Sequence, residues 1–296
     1  MSRESEVRRW RVKFPDRGVE LELVDWGGAA RPLALLAHAT GFCAACFDPL
    51  AARLRERYRV IGWDARGHGN SEKPPPPEPY GWSEFALDVS AVTAHVLGEL
   101  GLARVALAVG HSFGGTCTLD AAVRDPERYE RLALLDPVIV PAPPDFPGAD
   151  PMRGGPNMAA SIARKRRHIF ASRDEIRARW REKGTFGDWD PRALDGYLAF
   201  GFHDRADGQV ELACPGEIEA AVFESGARFD AWKSAEKLAR PALLFHAARG
   251  NFPPALAQRF AAKSPAFQLV SFDAPHLLAM TSPDAVADAL LGWAPA

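Results

Sequence analysis

Short apolar stretches alternate with amphipathic ones along much of the chain, and this alternation predicts the fold. Residues 7–14 and 19–26 alternate between apolar and polar positions around a turn, which predicts an antiparallel hairpin with one solvated face. Six continuous apolar runs are typical of strands covered on both faces, and they lie at residues 32–38, 58–63, 105–109, 131–136, 241–246 and 267–272. Helical patterns separate these runs. We therefore predict an α/β fold with a mostly parallel eight-stranded sheet, covered by helices on both faces, and with the first hairpin as an antiparallel edge.

The alternation stops in the middle of the chain. Residues 138–155 are rich in proline and glycine and are predicted to form a linker. The stretch that follows is predicted to be mainly helical, with helix starts at the capping box Ser172–Glu175 and at Asp190–Pro191. The pattern therefore divides the chain into a core, residues 1–137 and 236–296, and a mainly helical lid, residues 138–235, inserted after the sixth strand.

The stretch Gly110–Gly115 is the strongest chemical signal in the chain. It places Ser112 between two glycines on the turn from an apolar strand to a helix, which is the G-x-S-x-G pattern of a nucleophile elbow. Side chains at Gly110 and Gly114 would collide with the neighbouring strand and helix in so sharp a turn. The start of the following helix also favours negative charge beside the hydroxyl. We predict that Ser112 is a nucleophile.

A serine nucleophile needs a base within hydrogen-bond reach, and the base needs a third group that orients it. His276 follows the last strand and precedes the last helix, where this topology requires the base. His246 ends a strand and is expected to pack beneath the site. Asp136 also falls at the end of a strand, and strand ends on one edge of a parallel sheet form one shared site.

Four motifs carry a resemblance to a known family: residues 38–42, residues 64–71, the elbow, and Pro275–His276 before the final helix. With them the chain resembles the α/β-hydrolase fold. The resemblance is to its lid-bearing group of carboxylesterases, C–C bond hydrolases, epoxide hydrolases, haloalkane dehalogenases and cofactor-free haloperoxidases. It covers about residues 20–137 and 236–295.

The resemblance implies an oxyanion hole made by the backbone amides of Thr40 and Phe113. Here the chain departs from the family, because Ala39 stands where the family usually has the glycine of a His-Gly pair. The resemblance also implies two places for the acid. The loop 247–252 has no carboxylate, so we assign the acid to Asp136, with Asn251 in that loop as a neutral alternative.

Epoxide hydrolases and haloalkane dehalogenases of this group carry aspartate at the elbow, so Ser112 indicates acyl transfer. We expect a serine hydrolase that cleaves a small carboxylic ester or lactone, with neither a metal nor an organic cofactor. One alternative is hydrolysis of a C–C bond in a vinylogous diketone by the same triad. The other is a non-catalytic ligand-binding protein on the same fold.

Further side chains are assigned to the walls of the site or to the framework. The substrate pocket is predicted to involve His38, Phe42, His111 and Trp189. The other aromatic side chains of the lid are expected to form mostly its own core, and Asp64, Arg66 and His68 are expected to hold loops. The basic run 164–168 is expected to be a solvated helix face, with attraction of an acidic substrate as the alternative.

Composition excludes some classes of partner. The net charge of −2 indicates neither nucleic acid nor an anionic membrane, and no apolar run is long enough to span a bilayer. We expect a cytoplasmic protein whose four cysteines are reduced. Cys43 and Cys46 have C-x-x-C spacing, but without a second pair they are expected to be structural thiols rather than a redox or zinc site. Nothing in the pattern indicates an oligomeric state.

Overall fold

An eight-stranded sheet forms the centre of the protein in a computed structural model that describes residues 7–28, 30–76, 80–139, 158–182 and 184–293. The strands of this part of the chain are β1 (Arg8–Phe14), β2 (Val19–Gly27), β3 (Leu33–Ala37), β4 (Arg59–Trp63), β5 (Leu107–His111), β6 (Leu132–Leu135), β7 (Ile169–Phe170), β8 (Phe202–Asp204), β9 (Val210–Leu212), β10 (Ala242–Arg249) and β11 (Phe267–Pro275).

The central sheet has the strand order β1-β2-β4-β3-β5-β6-β10-β11. The pairs β1–β2 and β2–β4 are antiparallel, and the pairs from β4 to β11 are parallel. The predicted edge hairpin and the mostly parallel eight-stranded sheet are therefore confirmed. Six strands of this sheet run in one direction: β3, β4, β5, β6, β10 and β11. Their carboxyl ends therefore lie along one edge, where ligand sites form in such sheets.

Helices cover both faces of the sheet. They are α1 (Asp48–Leu54), α2 (Trp82–Leu100), α3 (Phe113–Arg124), α4 (Met158–Lys165), α5 (Arg173–Arg181), α6 (Gly184–Gly187), α7 (Pro191–Phe200), α8 (Gly216–Gly226), α9 (Ala231–Glu236), α10 (Pro254–Ala261), α11 (Leu278–Thr281) and α12 (Pro283–Trp293), with 3₁₀ turns at Pro15–Arg17, Ala44–Phe47 and Pro126–Arg128. None of the helices in the described ranges is long and apolar enough to cross a membrane.

Successive residues of the buried strands point to opposite faces and join two separate hydrophobic clusters. In β3, Leu33 and Leu35 belong to the cluster that also contains buried residues of α2, α3, α9 and α10. Ala34 and Leu36 belong to the other cluster, which contains buried residues of α1, α11 and α12. This period of two, with apolar side chains on both faces, explains why these strands read as continuous apolar runs.

The segment between β6 and β10 departs from the alternation, as the pattern predicted. It contains α4 to α9 and a small antiparallel sheet with the order β7-β9-β8. The sequence pattern did not predict this small sheet. Two predicted helix starts are confirmed: Ser172 accepts from the Glu175 amide at 3.1 Å, and Asp190 accepts from the Arg192 amide at 2.8 Å. Most of the predicted linker, residues 140–155, lies outside the described residues.

Candidate active site

Ser112 lies on a sharp turn between β5 and α3. Its backbone has φ 55° and ψ −123°, a strained conformation for a residue other than glycine. A Cβ at Gly110 would lie 2.5 Å from the Gly114 carbonyl oxygen, and one at Gly114 would lie 2.4 Å from the His38 carbonyl oxygen. Glycine is therefore required at both positions, because the atoms that a Cβ would meet belong to the backbone and cannot move aside as a flexible side chain could.

A chain of hydrogen bonds joins Ser112, His276 and Asp136. His276 follows β11, and its Nε2 lies 2.8 Å from Ser112 Oγ. Its Nδ1 lies 2.6 Å from Asp136 Oδ2. A carboxylate accepts, so Nδ1 carries the proton and Nε2 is left to accept from the serine hydroxyl. This is the arrangement in which an imidazole can take the serine proton.

Asp136 follows β6 with φ 42°, and its side chain is buried. Its second oxygen, Oδ1, accepts from the Ala247 amide at 3.0 Å, so each carboxylate oxygen has its own partner. The rival Asn251 is exposed, and Asp273 forms an exposed ion pair with Arg249 at 3.0 Å. Of these three side chains, the geometry brings Asp136 to the His276 ring.

His111 is fully buried beside this chain of hydrogen bonds. Its Nε2 donates to the His276 carbonyl oxygen at 2.9 Å. Burial, followed by the neighbouring His276, lowers the pKa of His111 to about 3, so the ring is neutral near pH 7. The contact fixes the backbone of His276, while the predicted contact of His111 with substrate remains a prediction.

The His38 ring orients the peptide unit that contains the Thr40 amide. The Ala65 amide donates to His38 Nε2 at 2.9 Å, so Nδ1 carries the proton and donates to the Ala39 carbonyl oxygen at 2.8 Å. That carbonyl and the Thr40 N–H belong to one planar trans peptide and point in opposite directions. Both ring nitrogens of His38 therefore have backbone partners, and its predicted contact with substrate remains a prediction.

The two amides predicted for the oxyanion hole lie on adjacent segments. Phe113 is the first residue of α3, where the helix leaves backbone N–H groups without an acceptor of their own. The loop after β3 packs directly on this turn, as the close approach of the His38 carbonyl to Gly114 requires. The Thr40 amide therefore belongs to a loop that touches the first turn of α3.

Phe42 and Trp189, the other predicted substrate residues, belong to a cluster of aromatic rings. Their ring centroids are 5.3 Å apart, and Phe42 also lies 5.2 Å from Tyr197. Trp180 and Phe186 extend the cluster by stacking at 4.0 Å. These rings belong to or pack against the cluster that also contains buried residues of α1, α11 and α12, so the expectation that the aromatic residues form mostly a core of their own is wrong. Trp189 Nε1 is buried and has no hydrogen-bond partner among the described residues.

The polar loop after β4 is held in place by its own side chains. Asp64 accepts from the Ala44 amide at 2.8 Å and from the Asn70 amide at 2.9 Å. Arg66 pairs with Asp88 through bonds of 2.5 and 2.6 Å, and both side chains are buried. His68 contacts the Arg66 carbonyl oxygen at 2.9 Å, and burial lowers its pKa to about 3. These contacts fit the structural role expected for the loop.

The basic run of residues 164–168 is not simply a solvated face. Arg164 pairs with Glu217 and Glu224, and Arg167 pairs with Glu175. Arg166 points inward, where its Nη2 lies 3.0 Å from Oε2 of the buried Glu219. The arginines of the run are thus neutralised within the protein.

The buried cysteines show no sign of a metal site. Cys43 and Cys46 are fully buried, and the pKa of the Cys43 thiol is raised well above its usual range by the neighbouring Cys46 and by burial. In the described ranges, no group of three or more histidine, cysteine, aspartate or glutamate side chains could hold a metal ion.

Comparisons with known proteins identify the family. The model of the Alpha/beta hydrolase family matches residues 34–289, most of the chain. A putative carbamate hydrolase of Caulobacter segnis is 34% identical over 119 residues, 40% of this chain and 43% of that protein. The type I acyl-CoA thioesterase of Penicillium roqueforti is 27% identical over 244 residues, 78% of this chain and 51% of that protein. The chain spans about half or less of the length of these curated relatives.

Solved structures share the fold over nearly the whole chain. E-2-(acetamidomethylene)succinate hydrolase superposes with a TM-score of 0.81 at 21% identity, covering 97% of this chain and 99% of that one. The thioesterase domain from the curacin biosynthetic pathway superposes with a TM-score of 0.75 at 18% identity, covering 97% of this chain and 100% of that one.

Proposed function

Because the chain belongs to the alpha/beta hydrolase family, we propose that it is a serine hydrolase that cleaves a carboxylic ester or lactone through an acyl-enzyme on Ser112. The observation that carries the proposal is the hydrogen-bond chain from Ser112 Oγ through His276 to Asp136. Serine is a weak nucleophile by itself, and an adjacent oriented base is what activates it.

In the proposed reaction, Ser112 Oγ attacks the substrate carbonyl carbon while His276 Nε2 takes the serine proton. The amides of Thr40 and Phe113 donate to the oxyanion of the tetrahedral intermediate. The bond to the leaving alcohol breaks, and His276 returns the proton to that oxygen. Water then repeats the sequence on the acyl-enzyme, which releases the acid and regenerates Ser112. Asp136 keeps the His276 ring in the required tautomer and stabilises its charged form.

The segment between β6 and β10 is part of the proposal as a lid over the site. Its aromatic rings reach Phe42, two residues after Thr40. Apolar walls of this kind bind the acyl or alcohol portion of a small substrate and exclude water from the reacting atoms.

The relatives widen the set of acyl groups that should be assayed. Their names include a carbamate hydrolase and an acyl-CoA thioesterase, which cleave other bonds to an acyl carbon. A substrate panel should therefore contain esters and lactones of graded size, a thioester, a carbamate and a vinylogous diketone. Preferential cleavage of the diketone would favour C–C bond hydrolysis over the proposed ester or lactone hydrolysis.

Replacement of the nucleophile tests the proposal directly. Ser112→Ala should abolish labelling by a fluorophosphonate and lower the turnover of short p-nitrophenyl esters by about 10⁴-fold or more, because the covalent route is lost. Ser90→Ala is the matched control, since the Ser90 hydroxyl bonds only the Ala86 carbonyl within its own helix in the described contacts. Ester turnover that survives in Ser112→Ala would refute the proposal, and ligand binding without product would favour a non-catalytic role.

A further inference from the structure

The Thr40 amide lies in a tight turn of the backbone after β3. The Phe42 amide donates to the Ala39 carbonyl oxygen at 3.3 Å and closes the turn. Gly41 has φ 83°, a conformation that the third position of a type II turn requires and that glycine adopts without strain. The direction of the Thr40 N–H therefore depends on how firmly residues 39–42 are held.

The core holds one side of this turn, and α7 holds the other. On the core side, the His38 ring binds the Ala39 carbonyl, as described above. On the other side, the Tyr197 hydroxyl of α7 donates to the Gly41 carbonyl oxygen at 3.0 Å. Tyr197 is 1% exposed, and burial raises the pKa of its hydroxyl well above the usual range, so it remains a donor.

A second contact reaches Gly41 from α8. Glu219 is 7% exposed, and a Cβ at Gly41 would lie 2.3 Å from its Oε1. Its other oxygen, Oε2, lies 3.0 Å from Arg166 Nη2, and this ion pair fixes the carboxylate against the glycine. The Glu219 side chain is 9% exposed and that of Arg166 is 25% exposed, so the carboxylate is held largely away from solvent beside the turn.

The backbone of α7 also approaches the residues that follow the turn. A Cβ at Gly196 would lie 2.3 Å from the Ala45 carbonyl oxygen. The helix can come this close because Gly196 has no side chain. Tyr197, the next residue, is thereby held within reach of Gly41, so its hydroxyl is placed by rigid packing on a helix.

From these contacts we propose that Tyr197 and Glu219 are positioning residues, which act from the segment between β6 and β10 (the inserted segment) to hold the Thr40 amide in the direction needed by an oxyanion. The inference rests on the proposed function, since it concerns the oxyanion hole of that reaction. The inserted segment then contributes to the chemical step as well as to the substrate pocket.

Removal of the Tyr197 hydroxyl should affect the transition state more than the bound substrate. Donors aimed at a developing oxyanion stabilise charge that the ground state lacks. Tyr197→Phe keeps the ring and its packing, so we expect kcat for a p-nitrophenyl ester to fall roughly 10- to 100-fold, with KM changed less than about threefold. A matched loss of kcat and rise of KM would contradict the inference.

Tyr129→Phe is the matched control for this experiment. Tyr129 is also 1% exposed, and its hydroxyl is 2.9 Å from the Thr93 hydroxyl within the core. Loss of either buried hydroxyl should lower the thermal midpoint, but Tyr129→Phe should leave kcat unchanged. An equal fall of kcat in both variants would show a general effect of destabilisation and would overturn the inference.

Amide hydrogen exchange tests the contact between Tyr197 and the Gly41 carbonyl independently of any activity assay. The amides of residues 39–43 should exchange at least several-fold faster in Tyr197→Phe than in the wild type or in Tyr129→Phe. Unchanged exchange would overturn the inference even if kcat falls. If wild-type Ser112 is neither labelled nor active, the proposed reaction fails, while the exchange rates still decide whether Tyr197 holds the turn.

The role of Glu219 rests on its contact with Gly41, and two substitutions separate this contact from the charge of the ion pair with Arg166. Glu219→Gln keeps the length of the side chain and its packing against Gly41, so it should retain most of kcat. Glu219→Ala removes the contact and should lower kcat about tenfold. Equal values of kcat in the glutamine and alanine variants would overturn the role assigned to Glu219.

Discussion

The two carboxylate oxygens of Asp136 have different hydrogen-bond partners. Oδ2 faces the His276 ring at 2.6 Å, and Oδ1 accepts from the Ala247 amide at 3.0 Å. The second bond prevents rotation of the carboxylate, so the His276 ring meets an acceptor in one fixed place. Two backbone contacts thus hold this pair in place: the His276 carbonyl oxygen accepts from His111, and Asp136 accepts from the Ala247 amide.

Substitutions at Asp136 and Asn251 decide which of the two side chains orients the His276 ring. Asp136→Asn keeps the shape but can present a donor to His276, which favours the wrong tautomer. We expect kcat to fall about 10³- to 10⁴-fold, while Asn251→Ala should leave kcat within about twofold. Steady-state assays on a p-nitrophenyl ester measure both. A larger loss in Asn251→Ala than in Asp136→Asn would refute the assignment.

At the scale of residues, local chemistry could be predicted from the sequence and ring orientations could not. Ser112 and His276 are marked by glycines and by position in the strand order. His111 and His38 gave no comparable signal, because the carbonyl that His111 binds lies 165 residues away and the amide that fixes the tautomer of His38 lies 27 residues away along the chain. Glu219 has no recognisable spacing at all, apart from being a charge among buried apolar positions of α8.

The elbow between β5 and α3 depends on glycine at three positions. Cβ atoms at Gly110, Gly114 and Gly115 would each lie less than 3 Å from backbone atoms of neighbouring residues. The strain at Ser112 therefore persists because the strand, the helix and the loop after β3 close around it.

A substitution at Gly114 tests whether the backbone around the elbow can accommodate a Cβ atom. Gly114→Ala places a Cβ 2.4 Å from the His38 carbonyl oxygen and 2.6 Å from that of Ala37. We expect a loss of a few kcal/mol in the free energy of unfolding, together with loss of ester turnover. Urea titration at pH 7 measures the free energy of unfolding, and a p-nitrophenyl ester assay measures turnover.

Gly98→Ala is the control for that substitution. Gly98 lies within α2, and a Cβ there meets nothing within 4 Å. Alanine is favoured over glycine in a helix, so we expect a gain of about 0.5–1 kcal/mol in the free energy of unfolding. Similar losses in both variants would show that the close contacts at Gly114 do not limit the fold.

Long elements were predictable and very short ones were not. The prediction of a helix at 83–100 agrees with α2 at Trp82–Leu100, because 19 residues display the apolar period clearly. The strands β7, β8 and β9 have two or three residues each, too few to show any period. They exist because they pair with one another beside the aromatic cluster, which is a tertiary effect.

Across the whole molecule, buried neutral histidines couple folding to pH. Burial lowers the pKa values of His68 and His111 to about 3, from the usual value of 6.5. Between these two pH values the unfolded chain binds more protons than the folded one. Stability should therefore be complete above about pH 6.5 and fall progressively as the pH is lowered toward 3.

Denaturant titrations at pH 7 and pH 5 test this coupling. Each of the two histidines should contribute on the order of 1–2 kcal/mol to the loss of stability at pH 5. His68→Asn should reduce the difference between the two pH values, although it lowers stability at both. A difference that does not change in this variant would show that His68 is not the source.

Among the described residues of the inserted segment, the small cluster of Ala160, Ala163 and Ala220 is separate, but most of the buried aromatic rings belong to a larger, shared cluster. Buried rings such as Trp180 and Tyr197 belong to the same cluster as Leu50 of α1 and Leu290 of α12 on one face of the central sheet. We therefore expect that this segment cannot be replaced as a unit by the corresponding segment of a relative, because the transplanted rings would not fit the cluster that they share with α1, α11 and α12. Changes of substrate preference in this lineage are expected to arise by point substitutions that preserve that shared packing, and recombination at its boundaries should yield mostly insoluble chimaeras.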